Sequence, residues 1–339
     1  MTTTALARVR LVRRRVSRRR SYVFAALLVA LVGAWTARVL AGDYVITVPD
    51  FVRIVGGADI PGASFILMEA KLPRAVAGLL AGAAFGLGGA IFQTVLRNPL
   101  ASPDLLGISG GASLGAVLAI VVFSLTGGSV PLLAVGCALL TGVVIVACAR
   151  GVGQMVLVGV ALTAALVSVV QYLFARATIW EAQAALVWMT GSLNQVEWSD
   201  IRRFALVLAV LVVAVISLAP ALRVLELGPD LAAGFGVSQR RSYLLLGVAV
   251  LLVSTATAVT GPIAFVALLS GPIARRLLGG RATLAGAALV GAVVVVAADY
   301  VAAYGVPDTN LPVGVVTGVL GAPFLLWLII RRTSNGGAS

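Results

Sequence analysis

Residues 71–116 read KLPRAVAGLLAGAAFGLGGAIFQTVLRNPLASPDLLGISGGASLGA, two apolar runs joined by a polar segment that contains two prolines. Both runs carry glycines at four-residue spacing, namely Gly78, Gly82 and Gly86 in the first and Gly107, Gly111 and Gly115 in the second. Residues four apart share one face of a helix, and glycines on that face let another backbone approach closely. Because apolar burial gives no net drive between helices in lipid, this spacing predicts two tightly packed helices at the centre of a membrane bundle.

The composition also indicates a membrane protein. Hydrophobic residues make up 60% of the 339 residues, charged residues only 11%, and the mean hydropathy is +1.09. A soluble domain has roughly 25% charged residues, so this chain could not cover a soluble globule of its length. The expected fold class is therefore an all-α, polytopic membrane protein.

The apolar runs predict ten transmembrane helices. They cover about 22–40, 73–96, the run from the 99–103 break to 123, 131–149, 155–174, 204–222, 242–259, a short run that ends at 275–276, 283–303 and 312–330. Residues 1–20 form a basic tail, 21–332 a single transmembrane domain, and 333–339 a short second tail. A short interfacial helix is expected at 49–55, and tryptophans in the 176–203 loop suit a membrane–water interface.

The net charge of +13 results from arginines placed between apolar runs, with eight in the first 20 residues. Nucleic-acid binding would need a basic face with stacking aromatics or a groove-reading helix, and the sequence has neither. A bias of arginine toward one side indicates the cytoplasmic side of a membrane. It predicts a multi-pass protein of the bacterial cytoplasmic membrane with both termini in the cytoplasm.

The sequence offers no candidate for catalysis or metal binding. There is no histidine, no pair of carboxylates at membrane depth, and the two cysteines, Cys137 and Cys148, have no metal-like neighbours. The only lysine, Lys71, is not in a phosphate-binding loop. We therefore expect a chain that binds no cofactor and is not an enzyme. If it transports a substrate with ATP, another subunit must bind the ATP.

Asp299 is the one carboxylate expected within a helix, near the outer end of the ninth. An acidic residue within the membrane is a functional candidate, for example in ion coupling. The helices offer no obvious lysine or histidine partner for it. Structural hydrogen bonding is therefore the preferred interpretation of Asp299, and ion coupling is the alternative.

Residues 223–241 form the longest internal polar segment, RVLELGPDLAAGFGVSQRR. The Gly228-Pro229 pair breaks the chain, Asp230 is a candidate N-cap for a short helix, and Gly234 and Gly236 are placed to end it. The segment suits the docking of an ATP-binding subunit. A merely solvated loop is the alternative.

Several segments resemble the FecCD family of ABC-importer permeases, the membrane subunits for iron–siderophore, haem and vitamin B12 uptake in bacteria. The matching segments are KLPR at 71–74, the long block 89–116, LVGVALTAAL at 157–166, WMTGSL at 188–193 followed by WSD, 225–237, 261–277 and 311–329. They occur in family order over nearly the whole chain, and the NPLASPDLLGISGGASLGA block is highly specific.

The resemblance implies a type II ABC-importer permease with ten helices per subunit, paired as a homodimer or a related heterodimer around a central pathway. It also implies two ATPase subunits that bind ATP and Mg²⁺, and an external substrate-binding protein. Lys71 and Arg74 match family residues that face this binding protein. The ATPase-coupling residues would be Leu225, Leu227, Gly228, Asp230, Ala233 and Gly236.

Three departures from the family pattern bear on function. Lys71 stands where the family has arginine, Ala303 replaces another family arginine, and Ser270-Gly271-Pro272 replaces Val-Pro-His. The last resembles siderophore permeases more than the B12 type. The expected substrate is therefore an iron–siderophore complex, with vitamin B12 or haem as the alternative within the family. An ion-coupled secondary transporter acting through Asp299 is the alternative outside it.

Overall fold

The computed structural model describes residues 2–280, 283–307 and 309–336, which contain helices and no strands. The helices are α1 Thr2–Leu40, α2 Val48–Val55, α3 Ala63–Phe65, α4 Leu72–Val95, α5 Ile108–Val117, α6 Ser129–Cys148, α7 Val152–Phe174, α8 Ile179–Thr190, α9 Trp198–Leu225, α10 Pro229–Gly234, α11 Gln239–Thr260, α12 Val266–Leu277, α13 Leu284–Tyr304 and α14 Val313–Gly336. Two π-helical segments, Ile66–Lys71 and Leu118–Val122, precede α4 and follow α5.

Seven helical segments in the described chain are long and apolar enough to cross a membrane. They are Val16–Leu40, Ala63–Val95, Ser129–Cys148, Gly153–Phe174, Trp198–Leu225, Gln239–Thr260 and Leu284–Tyr304. Ile108–Val122 and Val313–Trp327 are shorter apolar helices, and α12 corresponds to the short predicted segment that ends at 275–276. The all-helical membrane architecture expected from the sequence is confirmed.

The largest differences from the prediction lie at α1, α8 and α9. The basic stretch at 2–20 is helical and continuous with the first apolar run, so α1 begins at Thr2 rather than Tyr22. In the 176–203 segment, predicted as a loop, α8 begins at a capping box in which Thr178 and Glu181 bond each other's backbone N–H. Helix α9 begins at Trp198 rather than Phe204.

Helix α4 is the centre of the bundle. It packs against α9, α11, α12 and α13, and 78% of its most apolar stretch is buried, against 17% for α1 and 11% for α7. A helix that is surrounded on all sides needs small residues where its neighbours approach. The first glycine set, Gly78, Gly82 and Gly86, therefore falls on the helix that carries most of the packing.

Two of the three α4 glycines from the four-residue pattern touch the backbone of α13. A Cβ added at Gly82 would lie 2.4 Å from the carbonyl oxygen of Gly291, and one added at Gly86 would lie 2.2 Å from that of Ala287. The contact is reciprocal, since a Cβ at Gly291 would lie 2.1 Å from the carbonyl oxygen of Gly82. Gly78, one turn earlier, faces side chains, with Leu193 at 3.2 Å from the added Cβ.

The second glycine set lies against α6 and α7. Cβ atoms added at Gly111 and Gly115 would lie 2.9 Å from the carbonyl oxygen of Cys137 and 2.5 Å from that of Leu133. Gly107 lies outside the helix, because α5 begins at Ile108 and Gly107 precedes it in the left-handed conformation, with φ 86°. Its added Cβ would lie 2.6 Å from the hydroxyl of Thr163 on α7.

The bundle has two chemically distinct ends. We call the "basic end" the one at which α1 begins and at which α4 and α12 end, with Arg19, Arg97 and Arg275. The opposite end, where α1 ends and α4 begins, carries Lys71 and the buried residues described below.

We expect Gly82→Ala to lower the thermal stability of the purified chain in neutral detergent. Overpacking typically costs about 1–3 kcal/mol, and here the obstacle is backbone of α13, which cannot rotate away. The matched control is Gly247→Ala on α11, where nothing lies within 4 Å of the added Cβ. That variant should be neutral or slightly stabilising. Equal melting temperatures for the two variants would contradict the close contact between α4 and α13.

Candidate functional site

A buried ion cluster joins three helices at the opposite end of the bundle. Arg38 of α1 donates from Nε to Oδ2 of Asp299 on α13 at 2.5 Å, and Arg74 of α4 donates from Nη2 to Oδ1 at 3.0 Å. The side chains of Arg38 and Asp299 are 2% exposed and that of Arg74 is 11% exposed. Charge-assisted bonds of this kind are the strongest in proteins, so they fix the relative positions of α1, α4 and α13 at this end.

Neighbouring residues complete the cluster. The guanidinium of Arg38 also contacts Tyr304, with Nη1 3.4 Å from the hydroxyl and Cζ 5.5 Å from the ring centroid. Lys71 donates from Nζ to the carbonyl oxygens of Ala41 and Tyr44, at 2.7 and 2.6 Å. Lys71 therefore ties the start of α4 to the chain that leaves α1.

The cluster contains more positive than negative charge. Asp299 faces two guanidiniums, and Nε of Arg74 is buried without a hydrogen-bond partner in the described residues. A buried charge without a full set of partners is costly. Within the described part of the chain, the cluster therefore leaves one buried donor, Nε of Arg74, unsatisfied.

The two residues predicted to face a binding protein are both engaged within the chain. Lys71 is 4% exposed and bonded to backbone, and Arg74 is bonded to Asp299. Their docking role stays a prediction. Asp299 was expected to lack a lysine or histidine partner, and its partners are arginines. The sequence places Arg38 in the last turn of the first helix, near the depth expected for Asp299, but nothing in it indicates that the two helices are neighbours.

The 223–241 segment is folded around α10 at the basic end. Gly228 and Gly236 flank the helix with φ of 116° and 76°, values that glycine adopts without strain. Pro229 occupies the first helical position and Gly228 is the N-cap, so the prediction that Asp230 is the N-cap was wrong. Asp230 lies in the first turn and is exposed.

One side of this segment is anchored and the other is free. Ala232 and Val237 are buried against Ala221 of α9, while Leu225 is partly buried beside them. The exposed side presents apolar residues four apart, namely Leu227, Leu231 and Phe235, together with the exposed Ala233. The coupling role of Leu225, Leu227, Gly228, Asp230, Ala233 and Gly236 stays a prediction.

These features define the class of the protein. A bundle of seven membrane-length helices with shorter apolar helices among them, a glycine-packed centre and a short exposed helix between membrane spans are the parts of a transport permease. The described residues hold no group of histidine, cysteine or carboxylate side chains that could bind a metal. The family model described as "FecCD transport family" matches residues 27–331. The chain therefore belongs to the FecCD transport family, a family of non-catalytic ABC-transporter permease subunits.

Individual relatives cover most of the chain. The ferric enterobactin transport system permease protein FepG of Escherichia coli (strain K12) is 37% identical over 289 residues, which cover 84% of this chain and 87% of FepG. The vitamin B12 import system permease protein BtuC of Salmonella paratyphi A is 33% identical over 271 residues, covering 78% and 83%. A solved metal-chelate type ABC transporter in an inward-facing conformation has the same fold, with a TM-score of 0.82 and 24% identity over 92% of this chain and 99% of that one.

We expect Asp299→Asn to destabilise the chain more than Arg38→Met. The first leaves two buried guanidiniums without a carboxylate, whereas the second leaves the Arg74–Asp299 pair intact. Removing one partner of a buried pair costs about 3–5 kcal/mol. Thermal unfolding in detergent measures the order of the two effects.

The control for the cluster is Asp200→Asn, which affects an exposed pair with Arg203 at 3.2 Å. Such pairs contribute about 1 kcal/mol or less. If Asp299→Asn and Asp200→Asn lower the melting temperature by the same amount, the buried cluster does not hold these helices together.

Asp104 lies in the loop between α4 and α5, outside the spanning helices. Its Oδ1 accepts a hydrogen bond from the hydroxyl of Ser109, and its Oδ2 is buried with no partner in the described chain. Burial raises the pKa of Asp104, and the hydrogen bond from Ser109 opposes the rise. The folded chain therefore holds the proton of Asp104 more tightly than the unfolded chain.

This difference predicts a pH-dependent stability. The contribution of Asp104 is complete below the unfolded pKa of about 3.9 and is lost as the pH rises through the raised folded pKa. We expect Asp104→Asn, which keeps the acceptor for Ser109, to raise the melting temperature at neutral pH and to flatten its fall between acid and neutral pH. Ser109→Ala should have the opposite sign at neutral pH. An unchanged pH profile in Asp104→Asn would contradict this assignment.

Proposed function

We propose that the chain is the membrane-spanning subunit of an ATP-driven importer that moves an iron–siderophore complex into the cytoplasm. The observation that carries this proposal is the 37% identity with the ferric enterobactin permease across 84% of the chain, compared with 33% for the vitamin B12 permease. The absence of His-Cys-carboxylate clusters from the described residues supports a pathway that handles a whole chelate rather than a bare metal ion.

The importer contains two such permeases, as identical copies or as a related pair, and two ATPase subunits on the side of the basic end. ATP and Mg²⁺ bind to those ATPases and this chain performs no chemistry. The basic end faces the cytoplasm, because arginines flank apolar segments there, and the protein lies in the bacterial cytoplasmic membrane. A transport cycle alternates the access of a central pathway between the two sides.

The exposed side of α10 supports coupling to an ATPase. Leu231 of α10 and the flanking Leu227 and Phe235, together called the apolar row, are exposed, and α10 itself is anchored on α9. An exposed apolar row at a helix outside the apolar spans is suited to a protein groove rather than to water. Because Ala232 packs against α9, a displacement of α10 is transmitted directly to the helical bundle.

The opposite end faces the external binding protein. Arg74 is the more accessible of the two predicted docking residues, but Asp299 already occupies its guanidinium. An acidic residue of a binding protein would therefore have to replace Asp299 as the partner of Arg74. Electrostatic contacts of this type set register and association rate more than affinity.

The geometry weighs against ion coupling through Asp299. Guanidinium groups take up both carboxylate oxygens, so a coupling cation would have to displace an arginine. A haem or vitamin B12 importer of the same family remains the alternative that the test must separate.

The test is uptake of radioiron-loaded siderophores in cells that lack this chain, with labelled cobalamin and haem in parallel. We expect loss of uptake of one iron chelate, restored by the intact gene and absent without the ATPase partner. Loss of cobalamin or haem uptake alone would show that cobalamin or haem, rather than an iron chelate, is the substrate. Iron uptake that persists without the ATPase but stops when the proton gradient collapses would contradict ATP-driven import.

The coupling surface is tested by Leu231→Asp, which puts a charge in the centre of the apolar row. Central interface residues are often worth about 2 kcal/mol or more, which is about thirtyfold in affinity. We expect chelate uptake and co-purification of the ATPase to be lost at normal permease levels in the membrane.

The matched control is Ser238→Asp, which adds the same charge at the exposed N-cap of α11. Aspartate is favoured at that position, so uptake should be retained. If Leu231→Asp keeps both uptake and the ATPase, the row is not the coupling surface.

A further inference from the structure

A cavity opens at the basic end, where α4, α9 and α12 end. Its volume is about 340 Å³, and its lining includes Gln93, Thr94, Arg97, Glu226, Arg275 and Gly280. We infer that this cavity is a binding site for a phosphate-type anion, held by the guanidiniums of Arg97 and Arg275. The site is independent of the import function and concerns a ligand that is not the transported chelate.

The charge of the cavity is the first observation. Neither Arg97 nor Arg275 has a carboxylate within salt-bridge distance in the part of the chain that the structure describes. Glu226 is the one acidic residue in the lining. Two unpaired guanidiniums that line the same cavity are the arrangement that binds phosphate oxygens, because the planar fork of arginine matches their geometry.

The shape of the cavity is the second observation. Two of the lining residues, Gln93 and Thr94, are buried, and the amide nitrogen of Gln93 donates to the carbonyl oxygen of Leu268 at 2.9 Å. A water occupies about 30 Å³ of liquid volume, so the cavity has room for a phosphate group together with part of its substituent. One N–H of Gln93 and the hydroxyl of Thr94, which donates to the carbonyl oxygen of Ala90, are engaged within the chain, so the arginines are the charged donors available to a ligand.

The backbone at Arg97 is the third observation. Arg97 has a φ of 51°, a left-handed conformation that is uncommon for residues other than glycine and tends to occur at functional sites. The turn places its guanidinium beside Gly228, whose added Cβ would lie 3.7 Å from Nη1. A ligand on Arg97 would therefore lie next to the segment that leads into α10.

The surroundings suggest where the anion comes from. The guanidinium of Arg19 on α1 lies 3.5 Å from the added Cβ of Gly279, the neighbour of Gly280 in the lining. Arg19 also lines an apolar groove on α1 with Tyr22 and Val23. Basic pockets between transmembrane helices on the cytoplasmic side bind anionic lipid headgroups. A lipid phosphodiester and a free phosphate share the recognised chemistry, and the experiment separates the two sources.

The experiment uses the purified full-length chain in a neutral detergent and in phosphatidylcholine nanodiscs with or without phosphatidylglycerol. Inorganic phosphate is titrated in the detergent arm with chloride as the ionic-strength control. The readouts are the melting temperature and, by native mass spectrometry, the number of phospholipids retained. A response to phosphatidylglycerol alone identifies a lipid headgroup, and a response to phosphate without lipid identifies a free anion.

The variants are Arg97→Gln and Arg275→Gln, with Arg150→Gln as the matched control. Arg150 is exposed. Its backbone N–H donates to Oε1 of Gln154, and a glutamine at position 150 keeps this bond. We expect each cavity variant to weaken the anion response about tenfold or more, because a hydrogen bond to a charged group is lost. Arg150→Gln should respond as the wild type does.

A second measurement needs no variant. Phenylglyoxal modifies accessible arginines, and peptide mapping of the wild-type chain reports Arg97 and Arg275 separately from Arg150. We expect phosphate or phosphatidylglycerol to protect Arg97 and Arg275 selectively. Equal modification of all three arginines with and without the anions, or an anion response that survives in both cavity variants, would overturn the site.

Discussion

The structure depends on backbone contact between α4 and α13. In lipid the apolar side chains of one helix gain nothing by leaving the acyl chains for another helix, so association relies on van der Waals contact and hydrogen bonds. Gly82 and Gly291 meet without side chains between them, and Gly86 meets Ala287 one turn further along. This contact brings Arg74 and Asp299, on the same two helices, within hydrogen-bond distance. Packing of the smallest residues therefore makes the ion cluster possible.

Helix α4 also connects the two ends of the molecule. Arg74 near its start is part of the buried cluster, while Gln93 near its end is part of the cavity at the basic end. A buried helix held by backbone contacts moves as a rigid unit, so displacement at one end reaches the other. The π-helical segment Ile66–Lys71 lies just before it, and such segments commonly occur at functional sites because they change the direction of the following side chains.

The sequence predicted the fold class and the packed helices because glycine spacing and apolar runs are local signals. It did not predict α8. The tryptophans of that segment indicated a loop at the membrane interface, although Thr178 and Glu181 have the spacing of a capping box. It also missed the partners of Asp299. Arg38 is 261 residues away in the chain, and nothing local indicates that α1 packs against α13. Pairings of that kind depend on which helices become neighbours, which a single sequence does not state.

The long separation between Arg38 and Asp299 also affects how the protein is made. Chains are synthesised at roughly 5–20 residues per second, so α13 is completed about ten seconds to a minute after α1 has entered the bilayer. During that interval Arg38 and Arg74 lie at the membrane edge with no carboxylate from α13, a costly state for a guanidinium. Until α13 is present, the positive charges of Arg38 and Arg74 therefore have no carboxylate from Asp299 to neutralise them. Their carboxylate partner becomes available only when α13 joins the bundle.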